Sequence, residues 1–365
     1  MARILLTGGT GYIGSHTAVE LITAGFDVIL LDNLYNSEAS VVDKIEQITG
    51  KRPIFYNADA CSPEDVGRVF SENEIDAVIH FAGYKAVGES VEKPLMYYEN
   101  NLFSAVNVLK TMDKYGCRRF IFSSSATVYG GDNPVPFTED QKTGGCTNPY
   151  GQTKFMIEQI LQDVVKGKTP ENAAASEPGK TPADPNSGKM PKNAPDAASG
   201  NIPDKADPAM PWSVVILRYF NPIGCHSSHL LEEQPKGVPN NLFPYIVQVA
   251  RGIRPQLNVF GNNYPTPDGT GVRDYIHIMD LASGHRAALD YALGHSGIEA
   301  VNLGTGRGTS VLELVRAYER ANKVSVPYVI APRRAGDIAE CYADCSKAKS
   351  LLGWEAKYTP EDACR

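Results

Sequence analysis

Short runs of β-branched and aliphatic residues recur through the first part of the chain, at Arg3–Thr7, Val28–Leu31, Ala77–Phe81, Arg119–Ser123 and Val214–Phe220. They do not alternate apolar with polar, which predicts strands buried on both faces of a parallel sheet. Between them lie amphipathic stretches such as Ser15–Ala24 and Pro94–Tyr115, the latter with Leu102, Ala105, Val106 and Leu109 at helical spacing. These read as sheet-covering helices. Strand and helix in alternation imply an α/β fold with a doubly wound parallel sheet. After Phe220 the pattern breaks into segments punctuated by Pro and Gly, which predicts a smaller mixed α/β lobe for holding substrate. The expected division is 1–222 for the sheet domain and 223–365 for the lobe, with a segment at about 276–303 returning to the first domain.

One stretch fits neither pattern. From about 166 to 208 the chain is rich in Pro, Ala, Asn, Asp and Lys and has no aromatic residue. It cannot bury enough apolar area to offset the entropy of ordering, so it reads as a low-complexity, solvated surface insertion. The whole chain, 365 residues with 42% hydrophobic and 21% charged, has the composition of a globular protein. A net charge of −7 supplies no basic field for nucleic acid or an anionic membrane, so an anionic ligand must be held by a few local groups. The start, Met1-Ala2-Arg3-Ile4-Leu5-Leu6, is too short for a signal-peptide core, and no apolar run reaches transmembrane length; the expectation is a cytoplasmic protein. Seven cysteines lack zinc-site spacing and read as reduced thiols. Cys341 with Cys345, and Cys225 and His226 with His229, read as unrelated neighbours, so no metal is expected.

The candidate chemistry sits where the strands end. Thr7-Gly8-Gly9-Thr10-Gly11-Tyr12-Ile13-Gly14 follows a strand and opens a helix, the context in which Gly8, Gly11 and Gly14 let the backbone approach a pyrophosphate at the helix N-terminus. Asp32, followed by Asn33 at the second strand end, is placed to accept from ribose hydroxyls and would repel a 2′-phosphate, which favours NAD over NADP. Asp59 and Ala60 fall where adenine would lie, and Phe81, Ala82 and Gly83 offer a wall for a dinucleotide. Asn148-Pro149-Tyr150 reads as a helix start, so Tyr150 and Lys154 share a face. The ammonium and a nicotinamide ring are expected to depress the phenol pKa toward a working base. Upstream, Ser123-Ser124-Ser125 ends a strand, where hydroxyls point into the ligand cleft.

Taken together, Thr7–His16, His80–Ser90, Ser123–Gly130, Thr143–Gly151, Arg218–Pro222 and Gly269–His277 resemble the extended short-chain dehydrogenase/reductase family over essentially the whole chain outside the insertion. The resemblance implies a Rossmann-type sheet, NAD, and reversible 4-epimerisation of UDP-hexoses, UDP-galactose and UDP-glucose, through a 4-keto sugar. It implies Tyr150 as base, Ser125 as its partner on the sugar oxygen and Lys154 on the nicotinamide ribose. To the cofactor set it adds Tyr12, Ile13, Asn33, Asn36, Ser37, Lys85, Asn100, Ser123, Tyr219 and Phe220. For substrate it implies Lys85, Phe220, Asn221, Asn240, Asn241 and Leu242, then Asn258, Val259 and Phe260 around uracil. Arg273 and Arg334 serve the phosphates and Asp337 the uridine ribose, Tyr275 belongs to the same substrate set, and a homodimer is implied as well. Cys341 falls where some family members carry a larger Tyr, which implies room for N-acetylated UDP-hexosamines.

Two departures and three rivals accompany the resemblance. The insertion is absent from shorter members, and the chain stops at Ala363-Cys364-Arg365 where the family usually continues into a helix. A 4,6-dehydratase typically places Asp-Glu after the first hydroxyl residue, where this chain has Ala126 and Thr127. A dehydrogenase acting at sugar C6 would need a nucleophilic Cys in a strand-end motif, and none is apparent. A non-catalytic NAD sensor would be expected to lack part of the Ser, Tyr and Lys set, which is complete here.

Overall fold

The computed structural model describes residues 1–167, 211–235, 237–334 and 336–365; beyond its first two residues, the 166–208 insertion lies outside them. The apolar runs form strands β1 (Arg3–Thr7), β2 (Asp27–Asp32), β4 (Ala77–His80), β5 (Arg119–Ser123) and β6 (Ser213–Tyr219), with β3 (Ile54–Asn57) between β2 and β4. Along each inner strand alternate residues enter two different cores. Ile4 and Leu6 pack with Leu30, Ile79 and Ile121 on one face, Leu5 with Ile29, Val78 and Phe120 on the other. Covering the first face are α1 (Tyr12–Thr23) and α2 (Ser40–Thr49); covering the second are α3 (Pro63–Glu72), α5 (Pro94–Lys114) and α6 (Pro149–Gly167). The short α4 (Val87–Glu92) precedes α5. Each fully buried Leu, Ile or Phe side chain contributes about 1.5–3 kcal/mol, so a two-faced core is what makes continuous apolar strands stable.

A seventh strand completes the sheet from far along the chain. β7 (Asn221–Ile223), α7 (Leu242–Ala250), β8 (Leu257–Phe260), β9 (Val272–Arg273) and β10 (Tyr275–His277) lie outside the sheet. The chain then returns through α8 (Ile278–Gly294), whose Leu281, Ala288 and Leu289 join the first core, into β11 (Gly297–Leu303). The order β11-β6-β5-β4-β1-β2-β3, parallel throughout, is the expected doubly wound sheet, with its switch point between β1 and β4. The remaining elements are β12 (Thr309–Ser310), α9 (Val311–Asn322), β13 (Tyr328–Ala331), β14 (Glu340–Cys341) and α10 (Ser346–Leu352). A third core, with Ile246, Val259, Tyr275 and Leu314, joins α7, β8, β10 and α9 into a smaller lobe. Asp274, fully buried, accepts from Thr305, Gly306 and Ala343 and so fixes β9 and β10 between the two cores.

Candidate active site

A cleft of about 1090 Å³ runs along the carboxyl ends of β1, β2, β4 and β6 to the lobe. At its β1 side the glycine turn is tight for a steric reason. Gly8 has φ +70°, and a Cβ there would lie 2.8 Å from Ala82 N; one at Gly14 would lie 2.4 Å from Gly8 O. A Cβ at Gly11 would meet only Gly8 O, at 3.2 Å, so that position opens toward the cleft. Gly11 is the N-cap of α1, no side chain caps the turn, and Tyr12, Ile13 and Gly14 line the cleft. Such a helix start with close backbone approach fits a dinucleotide pyrophosphate. Asp32 accepts from Thr10 N (3.1 Å), Leu34 N (2.9 Å) and Ser37 Oγ (3.0 Å), leaving acceptor capacity for one more donor such as a ribose hydroxyl. Asn33, Asn36, Asp59, Ala60, Phe81, Ala82, Gly83 and Asn100 lie in the same wall.

Helix α6 begins as its sequence predicts. Asn148 Oδ1 accepts from Gly151 N at 2.8 Å and Pro149 is the first helical residue, which sets Tyr150 in the first turn and Lys154 one turn on. Both are buried, Tyr150 with 8% and Lys154 with 5% of their surface exposed, yet both line the cleft. The three serines at the end of β5 go three ways. Ser125 faces the cleft beside Tyr150, where its hydroxyl favours the phenolate, and caps the 3-10 turn Ala126–Tyr129. Ser124 Oγ donates to Glu158 Oε1 at 2.6 Å. Ser123 Oγ lies 2.9 Å from His285 Nε2, while its carbonyl accepts from Lys154 Nζ at 2.7 Å. Only one of the three therefore meets the expectation of a hydroxyl aimed into the cleft.

The electrostatics also depart from expectation. Burial pushes the Tyr150 phenol up to about 12, with the Ser125 hydrogen bond pulling the other way, and burial pushes Lys154 down to about 8, opposed by Glu158. The Lys154 ammonium stands 5.9 Å from the Tyr150 ring centre and 4.8 Å from that of Phe122. In the protein alone, desolvation outweighs the expected depression of the tyrosine.

On the lobe side, Tyr219, Phe220, Asn221, Asn240, Asn241, Leu242, Arg273, Tyr275, Asp337 and Cys341 all line the cleft. The cationic groups there are held by carboxylates. Lys85 Nζ and Asn241 Nδ2 both donate to Glu233 Oε1, at 2.9 and 3.0 Å. Asp337 takes Arg334 Nε at 2.8 Å and lies 3.9 Å from Arg273 Nη2. Ser123, Asn258, Val259, Phe260 and Arg334 lie outside the cleft wall. Ser123 is turned under it by His285, Val259 is buried in the lobe core, and Asn258 and Phe260 lie on the opposite, exposed side of β8. Arg334 stacks over Phe260, 4.8 Å from its ring centre. Sequence reasoning missed Glu158, Arg218, Glu233 and His285, whose side-chain partners are all distant in sequence except for Asn241. Among the described residues no cluster of three or more His, Cys, Asp or Glu could hold a metal ion.

The same architecture is found in characterised proteins. The NAD dependent epimerase/dehydratase family matches residues 4–169, and the GDP-mannose 4,6 dehydratase family matches residues 197–365. The chain is 51% identical to a UDP-glucose 4-epimerase of Bacillus subtilis (strain 168) over 99% of this chain and 94% of that one. To the UDP-glucose 4-epimerase of Neisseria gonorrhoeae it is 49% identical, covering 97% and 93%. The crystal structure of UDP-glucose 4-epimerase from Bifidobacterium longum with NAD+ and UDP superposes with a TM-score of 0.84 at 47% identity, over 100% of this chain and 96% of that one. One from Stenotrophomonas maltophila, with NAD and formylated UDP-arabinopyranose, gives 0.86 at 42% identity over the same shares.

Proposed function

This chain belongs to the UDP-glucose 4-epimerases of the NAD dependent epimerase/dehydratase family, and from that premise we propose that it interconverts UDP-galactose and UDP-glucose with NAD retained through the cycle. The observation that carries the reading is that Ser125, Tyr150 and Lys154 share one cleft with the Gly8–Gly14 turn and Asp32. When bound, NAD supplies reversible hydride acceptance and donation at the hexose C4. The Tyr150 phenolate takes the proton of the C4 hydroxyl and returns it from the same position after the 4-keto sugar has turned its other face. Ser125 shares its hydrogen bond between that oxygen and Tyr150. Lys154, fixed by the Ser123 carbonyl, supplies positive charge beside the phenolate. Asn221, Asn241 and Arg273 take the diphosphate end and Asp337 the uridine ribose, so the sugar is the half left free to rotate. The phosphates replace the Asp337 carboxylate as partner of Arg273.

Conversion of UDP-galactose by the purified protein without added NAD tests the reading. Wild type is expected to be active and Tyr150→Phe slower by about 10²–10⁴-fold. Undiminished activity of the variant would remove Tyr150 from the mechanism, and bound NAD without any conversion would favour a sensor. A 4,6-dehydratase is disfavoured because Ala126 and Thr127 carry no carboxylate where that reaction needs acid and base.

Cys341 leaves space beside the sugar's C2 substituent, so UDP-GalNAc and UDP-GlcNAc are also substrates. The division into 1–222 with 276–303, and the remainder of 223–365, separates cofactor from substrate. Val91, Leu95 and Phe103, exposed on α4 and α5, are covered by a second copy of the chain in a homodimer; Leu95→Glu with Phe103→Glu is expected to sediment as a monomer. No described helix is long and apolar enough to cross a membrane, and the enzyme works in the cytoplasm.

A further inference from the structure

The groups assigned to catalysis come from two elements. Ser125 stands at the start of the 3-10 turn Ala126–Tyr129, while Tyr150 and Lys154 stand on α6. Proton transfer needs the two elements in one fixed register, because a hydrogen bond is lost within a few tenths of an ångström of misplacement. The contact between Ser125 and Tyr150 cannot set that register alone, since the substrate oxygen must share it.

We propose that Arg218, buried beneath the cleft in β6, is the positioning residue that locks the Ser125 turn to the Tyr150–Lys154 helix, with Glu158 and Tyr129 as its two handles. The guanidinium forks onto Glu158, one turn beyond Lys154 on α6, with Nε at 3.1 Å from Oε1 and Nη2 at 2.7 Å from Oε2. Its remaining nitrogen, Nη1, donates to the Tyr129 hydroxyl at 3.2 Å and to the Glu139 carbonyl at 3.3 Å. Tyr129 closes the turn that Ser125 opens, and its own hydroxyl donates to Asn302 Oδ1 at 2.6 Å. Glu158 also accepts from Ser124, the residue before Ser125. Arg218 thus holds one end of the turn through Tyr129 and the middle of the helix through Glu158, and Glu158 in turn holds the residue before the turn's other end, Ser124. Arg218 and Glu158 have about 5% and 0% of their surface exposed, and none of these groups lines the cleft. A planar fork with fixed donor directions does this where a single ammonium would not.

The inference rests on the assignment of Ser125, Tyr150 and Lys154, and the test keeps the two separate. Tyr129→Phe removes one hydroxyl and leaves the ring; Arg218→Lys keeps the charge and removes the fork. Both are compared with wild type and Tyr150→Phe for kcat, KM, the pH profile of kcat, UDP affinity by calorimetry, bound NAD content and melting temperature. Tyr129→Phe is expected to lower kcat about tenfold and Arg218→Lys about a hundredfold, with KM, UDP affinity and NAD content within about twofold of wild type. The acid limb of kcat moves to higher pH in both, because a displaced Ser125 no longer supports the phenolate. The other groups facing Tyr150 are Lys154 and Tyr219; Tyr129→Phe leaves both as they are, while Arg218→Lys also loosens Glu158, whose charge supports the Lys154 ammonium, so the pH profile of Tyr129→Phe is the decisive one. If Tyr129→Phe keeps both kcat and pH profile, or if activity falls only in proportion to folded protein and NAD content, the inference is overturned. If Tyr150→Phe is itself undiminished, the assignment of the site fails instead.

Discussion

Tyr150 and Lys154 sit in the same buried wall, and burial moves them in opposite directions, the phenol to about 12 and the ammonium to about 8. In the protein without NAD the base form of Tyr150 is therefore scarce at neutral pH, so the charges of Lys154 and of bound NAD have to favour the phenolate, and kcat is expected to rise with pH on its acid side. Lys154→Met should lower kcat by about 10²-fold and move that limb higher, since the positive charge favouring the phenolate is gone; a pH series of initial rates reads both effects. Cys341 makes a second prediction at this scale. Cys341→Tyr fills the space it leaves in the cleft wall and should abolish turnover of UDP-GalNAc while sparing UDP-galactose, measured as the ratio of kcat/KM values. What the sequence made legible here was local: a glycine turn, a Tyr and a Lys one helical turn apart, an Asp at a strand end. Arg218, Glu233 and His285 escaped because their meaning lies in contacts such as Arg218 with Glu158, 60 residues away, and His285 with Ser123, 162 away.

Among the elements, α6 matters most to the chemistry because its first turn carries Tyr150. Asn148→Ala removes the acceptor for Gly151 N and should cost about 1 kcal/mol, read as a lower denaturant midpoint, with Asn148→Ser close to wild type. The inner strands were readable from unbroken apolar runs, because each is covered on both faces. The two edges of the sheet carry no such run. β3 has exposed or half-buried residues throughout, and β11 is only half-buried over Gly297–Ala300, so neither shows the run that marks a central strand. The small lobe was legible only as a change of punctuation, since β9, β12 and β14 have two residues each.

For the whole molecule, four histidines are buried in neutral form. Burial lowers His16, His277 and His285 to about 4 and His80 to about 3, all below the 6.5 of an exposed imidazole. In the unfolded chain they take up protons at a pH where the folded chain does not. Their contribution is complete above pH 6.5 and is lost as pH falls through about 4, at roughly 1.4 kcal/mol per unit for each histidine. Urea midpoints should therefore be flat from pH 7 to 8 and fall steeply between 6 and 4; a flat profile across that range would contradict the burial. β11 pairs with β6 over its whole length, Gly297 with Ser213 through Leu303 with Tyr219. While the chain is being synthesised, β6 leaves the ribosome long before its neighbour does. Until residue 303 emerges, an apolar strand offers a row of unpaired amides and carbonyls to any other nascent chain, so a fragment ending at 222 should precipitate on expression where one ending beyond β11 stays in solution.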